Sequence, residues 1–298
     1  MDNSVRIRID SQVHKHDLNP YMYGVFFEEI NHSGDGGLYP ELVRNRSFCD
    51  AKLPEGTVYY DGHMRNATSY DLASVAGEEF GGREYDPEAA LLEGWKLRTT
   101  GNVLARIEPW FLNPRNPKVA NQLKCTVSNT SQGECSIINE GFWGMHFKPG
   151  KYFLTIIARG EGIQSLQAEV ITPSGATLAS ILVDGIEQTF TKHVLEVNIE
   201  TQARGCKLHL KPTADGVLYL DFVSLFPQDT YKGRANGMRK DLAETIAALH
   251  PKFFRFPGGC LVEGVSFENA FHFRDTLGPV EDRPGKWTLW WYRRSDGI

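Results

Sequence analysis

The chain has 298 residues, enough for one large core or two domains. Lys plus Arg total 32 and Asp plus Glu total 37, so the formal charge is -5, a balance that gives no general push toward nucleic acid or an anionic membrane. With 11 % aromatic residues, 29 Gly and 15 Pro, the composition suits strands, turns and a packed core rather than disorder.

VRIRID (5–10) alternates apolar and charged residues and predicts a half-buried strand. MYGVFFEEI (22–30) predicts an apolar strand ending in two acids, followed by the turn-rich NHSGDGG (31–37). YPELVRNRSF (39–48) carries apolar residues at helical spacing, with Pro40 at a permitted first-turn position. Strand, glycine-rich loop and helix make half of a β/α unit. From 66 to 228 the texture changes. One short helix is predicted at DPEAALLEG (86–94). Ten strands are predicted: GWKLRT, NVLARI, QLKCTVSN, CSIINEG, KYFLTIIAR, SLQAEVITPSG, TLASILVDG, FTKHVLEVNI, CKLHLKPT and GVLYLDFVSLFP. Short strands punctuated by Gly, Pro and Asn read as a β-sandwich. MRKDLAETIAALH (238–250) then places Met238, Leu242, Ile246 and Leu249 on one helix side. KFFRFPGG (252–259) follows as a short aromatic strand, so the α/β unit resumes after the sandwich.

No run of about 18 apolar residues occurs, which excludes a helical membrane span. The residues after Met1 (DNSVRIRID) lack an apolar signal stretch. The location stays open between cytoplasmic and secreted, with a targeting segment already removed in the second case. The cysteines, Cys49, Cys125, Cys135, Cys206 and Cys260, have no C-x-x-C spacing, so a zinc or thioredoxin-type site is not expected. Reduced, mostly buried thiols are expected, with a Cys125–Cys135 bridge as the alternative.

Glu28 and Glu29 end an apolar strand and should point to opposite faces. A carboxylate at the carboxyl end of an α/β strand stands where such folds build sites, and a solvated strand end is the plainer reading. Arg255 lies among aromatic residues and should be paired, either to a site carboxylate or in a structural salt bridge. Gly258 and Gly259 permit an unusual backbone path beside a ligand, or an ordinary turn. Trp287, Trp290, Trp291 and Tyr292, and in the sandwich Trp95, Trp110, Phe142 and Trp143, could stack on sugars or fill cores. No H-E-x-x-H, G-x-S-x-G or P-loop occurs.

YGVFFEEINHSGDGGLYPELVRNRSF (23–48) and FFRFPGGCLVEG…LGPVEDRPGKW (253–287) resemble glycoside hydrolase family 51, the α-L-arabinofuranosidases. The middle region is similar to inserted carbohydrate-binding modules. The resemblance implies an α/β plus all-β chain: the start of a (β/α)8 TIM barrel interrupted by a jelly-roll β-sandwich, with the barrel incomplete. The implied layout is 1–15, a strand of a C-terminal-type β-sandwich; 16–65, the first β/α unit; 66–228, the inserted sandwich; and 229–298, the second β/α region. It implies an N-terminal part of an exo-acting, retaining hydrolase that releases terminal α-L-arabinofuranosyl units from arabinoxylan, arabinan and their oligosaccharides. A non-catalytic xylan- or β-glucan-binding module is the alternative.

By the same resemblance, Glu28, Arg255 and Cys260 line the arabinose subsite; of the sandwich aromatics noted above, Trp143 and Trp95 are the candidates for sugar stacking. The catalytic acid/base and nucleophile have no counterpart among these residues. Asn139-Glu140 is an Asn-Glu pair, but it falls in the sandwich. The chain alone is therefore expected to be inactive. No cofactor is implied beyond a structural calcium in the sandwich, without assigned ligands. The implied partner is a plant cell-wall polysaccharide or arabino-oligosaccharide, with no nucleic acid or membrane, and the full-length parent could be a homo-oligomer.

Overall fold

The computed structural model describes residues 5–13, 15–30, 32–49, 58–60, 63–65, 91–264, 267, 269–287 and 294–295. The chain opens with β1 (Val25–Phe26) and a hairpin of β2 (Val58–Tyr60) and β3 (His63–Arg65). Eleven strands follow: β4 (Trp95–Thr99), β5 (Leu104–Trp110), β6 (Gln122–Ser128), β7 (Cys135–Asn139), β8 (Met145–Phe147), β9 (Gly150–Glu161), β10 (Ser165–Ile171), β11 (Thr177–Asp184), β12 (Thr191–Ile199), β13 (Ala203–Pro212) and β14 (Gly216–Pro227). The α/β part resumes with α1 (Lys240–Ala248), β15 (Phe254–Arg255) and α2 (Cys260–Glu263). The architecture is mixed, mostly strands with few helices.

The strands form two sheets face to face. One has the order β11-β10-β13-β7-β4, with β8 also on β13; the other is β12-β9-β14-β6-β5. All pairings in both are antiparallel. Period-two alternation explains the core. In β10, Leu166, Ala168 and Val170 are buried between half-exposed neighbours, and Leu208 and Leu210 of β13 face the same way. Leu154, Ile156, Leu218, Leu220, Val223 and Leu225 complete the layer from β9 and β14. The ten predicted strands are present, and β8 was not anticipated from the sequence.

Like the shorter β7, β14 is buried on both faces, along nearly its whole length of 12 residues. Its second face carries the α/β segments. Phe226 packs on Tyr39 at 4.7 Å, Ser224 bonds Glu41, and Phe222 packs with Ile157 and Val280. β1 and β15 pair in parallel, Val25 with Phe254 and Phe26 with Arg255.

Three expectations need correction. Residues 5–10 form no strand: no described segment pairs with them, so Val5, Ile7 and Ile9 are exposed. Residues 39–48 form turns rather than a helix. Their backbone donors are taken by distant acceptors: Leu42 N–H by the Leu225 carbonyl and Arg44 N–H by Asn139 Oδ1. Asn45 and Phe48 are left-handed, which a helix interior does not allow. The predicted 238–250 helix shortens to α1, and of its apolar side Leu249 is 68 % exposed. The five cysteines are free thiols, with only Cys260 exposed. Cys125 and Cys135 lie on different sheets and do not bridge. The 86–94 helix and Trp290, Trp291 and Tyr292 fall wholly or largely outside the described residues.

Candidate active site

The parallel pair β1–β15 brings the two sequence segments together. Both strands end at the same edge, and the chain then turns through Glu28 on one side and Phe256–Gly259 on the other. Phe27 N–H donates to the Arg255 carbonyl at 3.0 Å. Glu29 is buried while Glu28 is partly exposed, as alternation at a strand end requires. Glu28 Oε1 accepts the Leu261 backbone N–H at 2.9 Å, which fixes the carboxylate over the Pro257–Cys260 turn.

The Phe256–Pro257 bond is cis, and Gly258 has φ 119. A Cβ at Gly258 would stand 2.5 Å from Glu28 Cβ, so only glycine lets the turn approach the carboxylate. A Cβ at Gly259 would lie 3.6 Å from Glu28 Oε2 and 3.8 Å from an Arg255 terminal nitrogen. The carboxylate and guanidinium thus flank one point beside a side-chain-free backbone. Cys260 is exposed directly after that turn. The structure therefore groups Glu28, Arg255 and Cys260. Arg255 is exposed rather than buried, with its guanidinium 4.8 Å from the Phe26 ring centre and no ion pair among the described residues. This differs from the paired arginine expected from its aromatic neighbours, because the short β15 leaves Phe254 and Phe253 exposed too.

The loop after Glu28 is locked. Ser33 Oγ donates to the Glu28 carbonyl at 2.7 Å and accepts Ile30 N–H at 3.1 Å. Further on, the loop is pinned to the sandwich by a buried polar cluster that has no local signature in the sequence. Glu41 accepts Arg46 at 3.1 Å, Ser224 Oγ at 2.6 Å and the backbone N–H groups of Val43 and Leu225. Burial raises the Glu41 carboxyl and the Arg46 charge opposes that shift. The Arg46 guanidinium also lies over Tyr39 and Phe222. A second clamp, Arg115, bonds Asp221 of β14 at 2.7 Å and Asp282 at 2.7 Å. Burial pushes Asp221 up to about 6 against the pull of Arg115.

The two tryptophans offered for stacking part company. Trp95 is 5 % exposed, packs on Phe48 at 5.3 Å and donates Nε1–H to the Asn45 carbonyl at 2.9 Å. It is a core residue with no face for a sugar. Trp143 is 69 % exposed. Asn139 is buried and brackets Arg44, accepting its N–H and donating to its carbonyl. Glu140 is held between Lys96 and Lys207, which lower its carboxyl, Lys207 more strongly. The Asn-Glu pair is thereby accounted for structurally. Among the described residues no group of three or more His, Cys, Asp or Glu side chains is arranged for a metal.

A family model described as the alpha-L-arabinofuranosidase 1 domain matches residues 245–298. Alpha-L-arabinofuranosidase 1 of Arabidopsis thaliana is 32 % identical over 283 residues, covering 93 % of this chain and 37 % of that protein. The extracellular exo-alpha-L-arabinofuranosidase of Streptomyces chartreusis is 35 % identical over 300 residues, covering 94 % of this chain and 30 % of that one. An arabinose-bound family 51 α-L-arabinofuranosidase structure aligns with a TM-score of 0.72 at 29 % identity, over 95 % of this chain and 41 % of that chain. The chain thus spans about a third of the length of the curated relatives it matches.

Proposed function

We propose, on the premise that this chain belongs to the α-L-arabinofuranosidases of glycoside hydrolase family 51, that it builds the first part of the arabinose subsite of an exo-acting, retaining hydrolase. In this reading β1 and β15 are the first two strands of a (β/α)8 barrel, and the antiparallel region is a jelly-roll sandwich inserted between them. The layout of 1–15, 16–65, 66–228 and 229–298 follows from it. The substrates are terminal α-L-arabinofuranosyl units of arabinoxylan, arabinan and their oligosaccharides.

One observation carries the reading. Glu28 and Arg255 flank a glycine backbone at the carboxyl ends of adjacent parallel strands, where barrel enzymes gather their site residues. Glu28 accepts hydroxyl hydrogens of the sugar ring, and Cys260 lines the same pocket. Arg255 donates to a carboxylate or a ring oxygen and sets its orientation. Retention needs a pair of carboxylates about 5–5.5 Å apart, one as acid/base and one as nucleophile. No residue of this chain is assigned to either role, so the reading places them in further barrel strands.

The alternative, a free-standing carbohydrate-binding sandwich, draws less support. The outer face of the β14 sheet is occupied by Tyr39, Glu41 and Val280 rather than open to a polysaccharide.

Calorimetric titration with L-arabinose tests the proposal. The chain should bind the sugar, and Glu28→Gln should weaken it at least about tenfold. Wild-type affinity in Glu28→Gln would overturn the subsite. The same chain should not turn over an aryl α-L-arabinofuranoside; robust Glu28-dependent turnover would put the catalytic pair within these residues.

A further inference from the structure

The sandwich sends one turn to the Glu28 loop. Residues Gly141–Gly144 join β7 to β8, and the turn is tied down at its base, where Asn139 Oδ1 accepts the Gly141 N–H at 3.0 Å. Phe142 is its anchor. Its ring fills the space beside Gly36, where a Cβ would stand 2.4 Å from the ring and φ is 78. The His32 ring meets Phe142 at 4.9 Å and Trp143 at 5.9 Å, nearly edge-on to both.

His32 is four residues beyond Glu28, a separation of at most about 14 Å even in a fully extended chain. The Ser33 bonds to Glu28 and Ile30 fold that stretch back on itself and shorten it. Trp143 therefore stands beside the loop that carries the site carboxylate, although it belongs to the sandwich.

We infer that Trp143 is a stacking platform for the sugar residue to which the arabinosyl unit is attached. This rests on the arabinose-subsite reading of Glu28. His32, edge-on at 5.9 Å, and Phe142, tilted by 40° at 6.3 Å, flank the indole and leave 69 % of the residue open to solvent. A rigid, held and exposed indole offers a large apolar face at little entropic cost, which suits the C–H face of a pyranose. Burial, then the Arg44 charge, lowers His32 to about 4, so the ring beside the indole is neutral from mildly acidic pH upward. A neutral aromatic corner fits an uncharged carbohydrate better than an ionic ligand. The inserted sandwich then supplies specificity for the polymer, while Glu28 and Arg255 read the arabinose.

Titrate the chain with free L-arabinose and with xylotriose bearing one α-L-arabinofuranosyl branch. Trp143→Ala should weaken the branched oligosaccharide roughly five- to tenfold, with free arabinose at its wild-type affinity. Trp143→Phe should recover most of the loss. Unchanged far-UV circular dichroism checks that the exposed site has not perturbed the fold. Equal affinity of Trp143→Ala and wild type for the branched sugar would overturn the inference, as would an equal loss for free arabinose or no binding by wild type. Glu28→Gln separates the two levels. If it leaves both ligands unaffected while Trp143→Ala weakens the branched one, the subsite reading fails and the platform stands without it.

Discussion

The sandwich and the α/β segments solve burial differently. The sandwich closes with its own strands: β9, β10, β13 and β14 have hydrogen-bonded neighbours on both sides, and Leu123, Ile137 and Leu154 are fully enclosed. The parallel pair has two residues in each strand and leaves Phe26 and Phe254 more than half exposed. Antiparallel strands find partners a turn away, whereas parallel strands need crossover neighbours farther along a chain. The loop that follows β1 is attached to the sandwich through residues 39–46, with Glu41 and Arg46 at its centre.

The largest expected effect is at that attachment. Arg46→Ala leaves Glu41 buried without its cation and should cost about 3–5 kcal/mol in chemical denaturation. Replacing both residues by Glu41→Leu and Arg46→Met should cost much less. Similar losses in the two variants would mean that the pair is not what joins the regions.

Next is the contrast between the two kinds of apolar residue. Leu154→Ala, in the closed core, should cost about 2–5 kcal/mol. Leu249→Ala, at the exposed C-terminal cap of α1, should change stability by no more than about 0.5 kcal/mol. A large Leu249 effect, read in the same melts, would show that the α/β segment buries that cap in solution.

The smallest effect is in pH. Two groups, half-buried His32 and buried Asp221, work in opposite directions. His32 titrates at about 4 in the fold against 6.5 for an ordinary histidine, so the unfolded chain binds its proton first. Stability through His32 is therefore lost as pH falls from 6.5 toward 4. Asp221 is raised from 3.8 to about 6, so the folded state binds its proton first. Its contribution is greatest below 3.8 and is lost as pH rises through 6. Melting temperatures from pH 4 to 6.5 should decline less on acidification for His32→Gln than for wild type, and more steeply for Asp221→Asn. Parallel curves for all three would remove both groups from the balance.

The sandwich strands were legible because their pattern repeats every second residue over long stretches, as in KLHLK and YFLTIIAR. The turn at 39–48 was not. Its spacing is helical, and what prevents the helix is Asn139 and Leu225, far away in sequence. Glu28, Arg255 and Cys260 could be named from the motifs around them, but their convergence depends on the β1–β15 register. Trp95 and Trp143 look alike as letters. Packing on Phe48 encloses the first, and a turn tip exposes the second. Glu41 and Arg46 carry no local signature, since their partners Ser224 and Leu225 come from the other end of the sandwich.

The double burial of β14 bears on modularity. An inserted domain is usually treated as a cassette, to be deleted, swapped or grafted while its host carries on. Here Ser224, Leu225 and Phe226 serve as the floor for residues 39–46. Excision would strip that floor from the host, and a grafted replacement would have to reproduce a hydroxyl, a backbone donor and an aromatic ring in the same register. On the proposed layout the sandwich and the α/β segments form one unit at this seam, and engineering of either is constrained by the other.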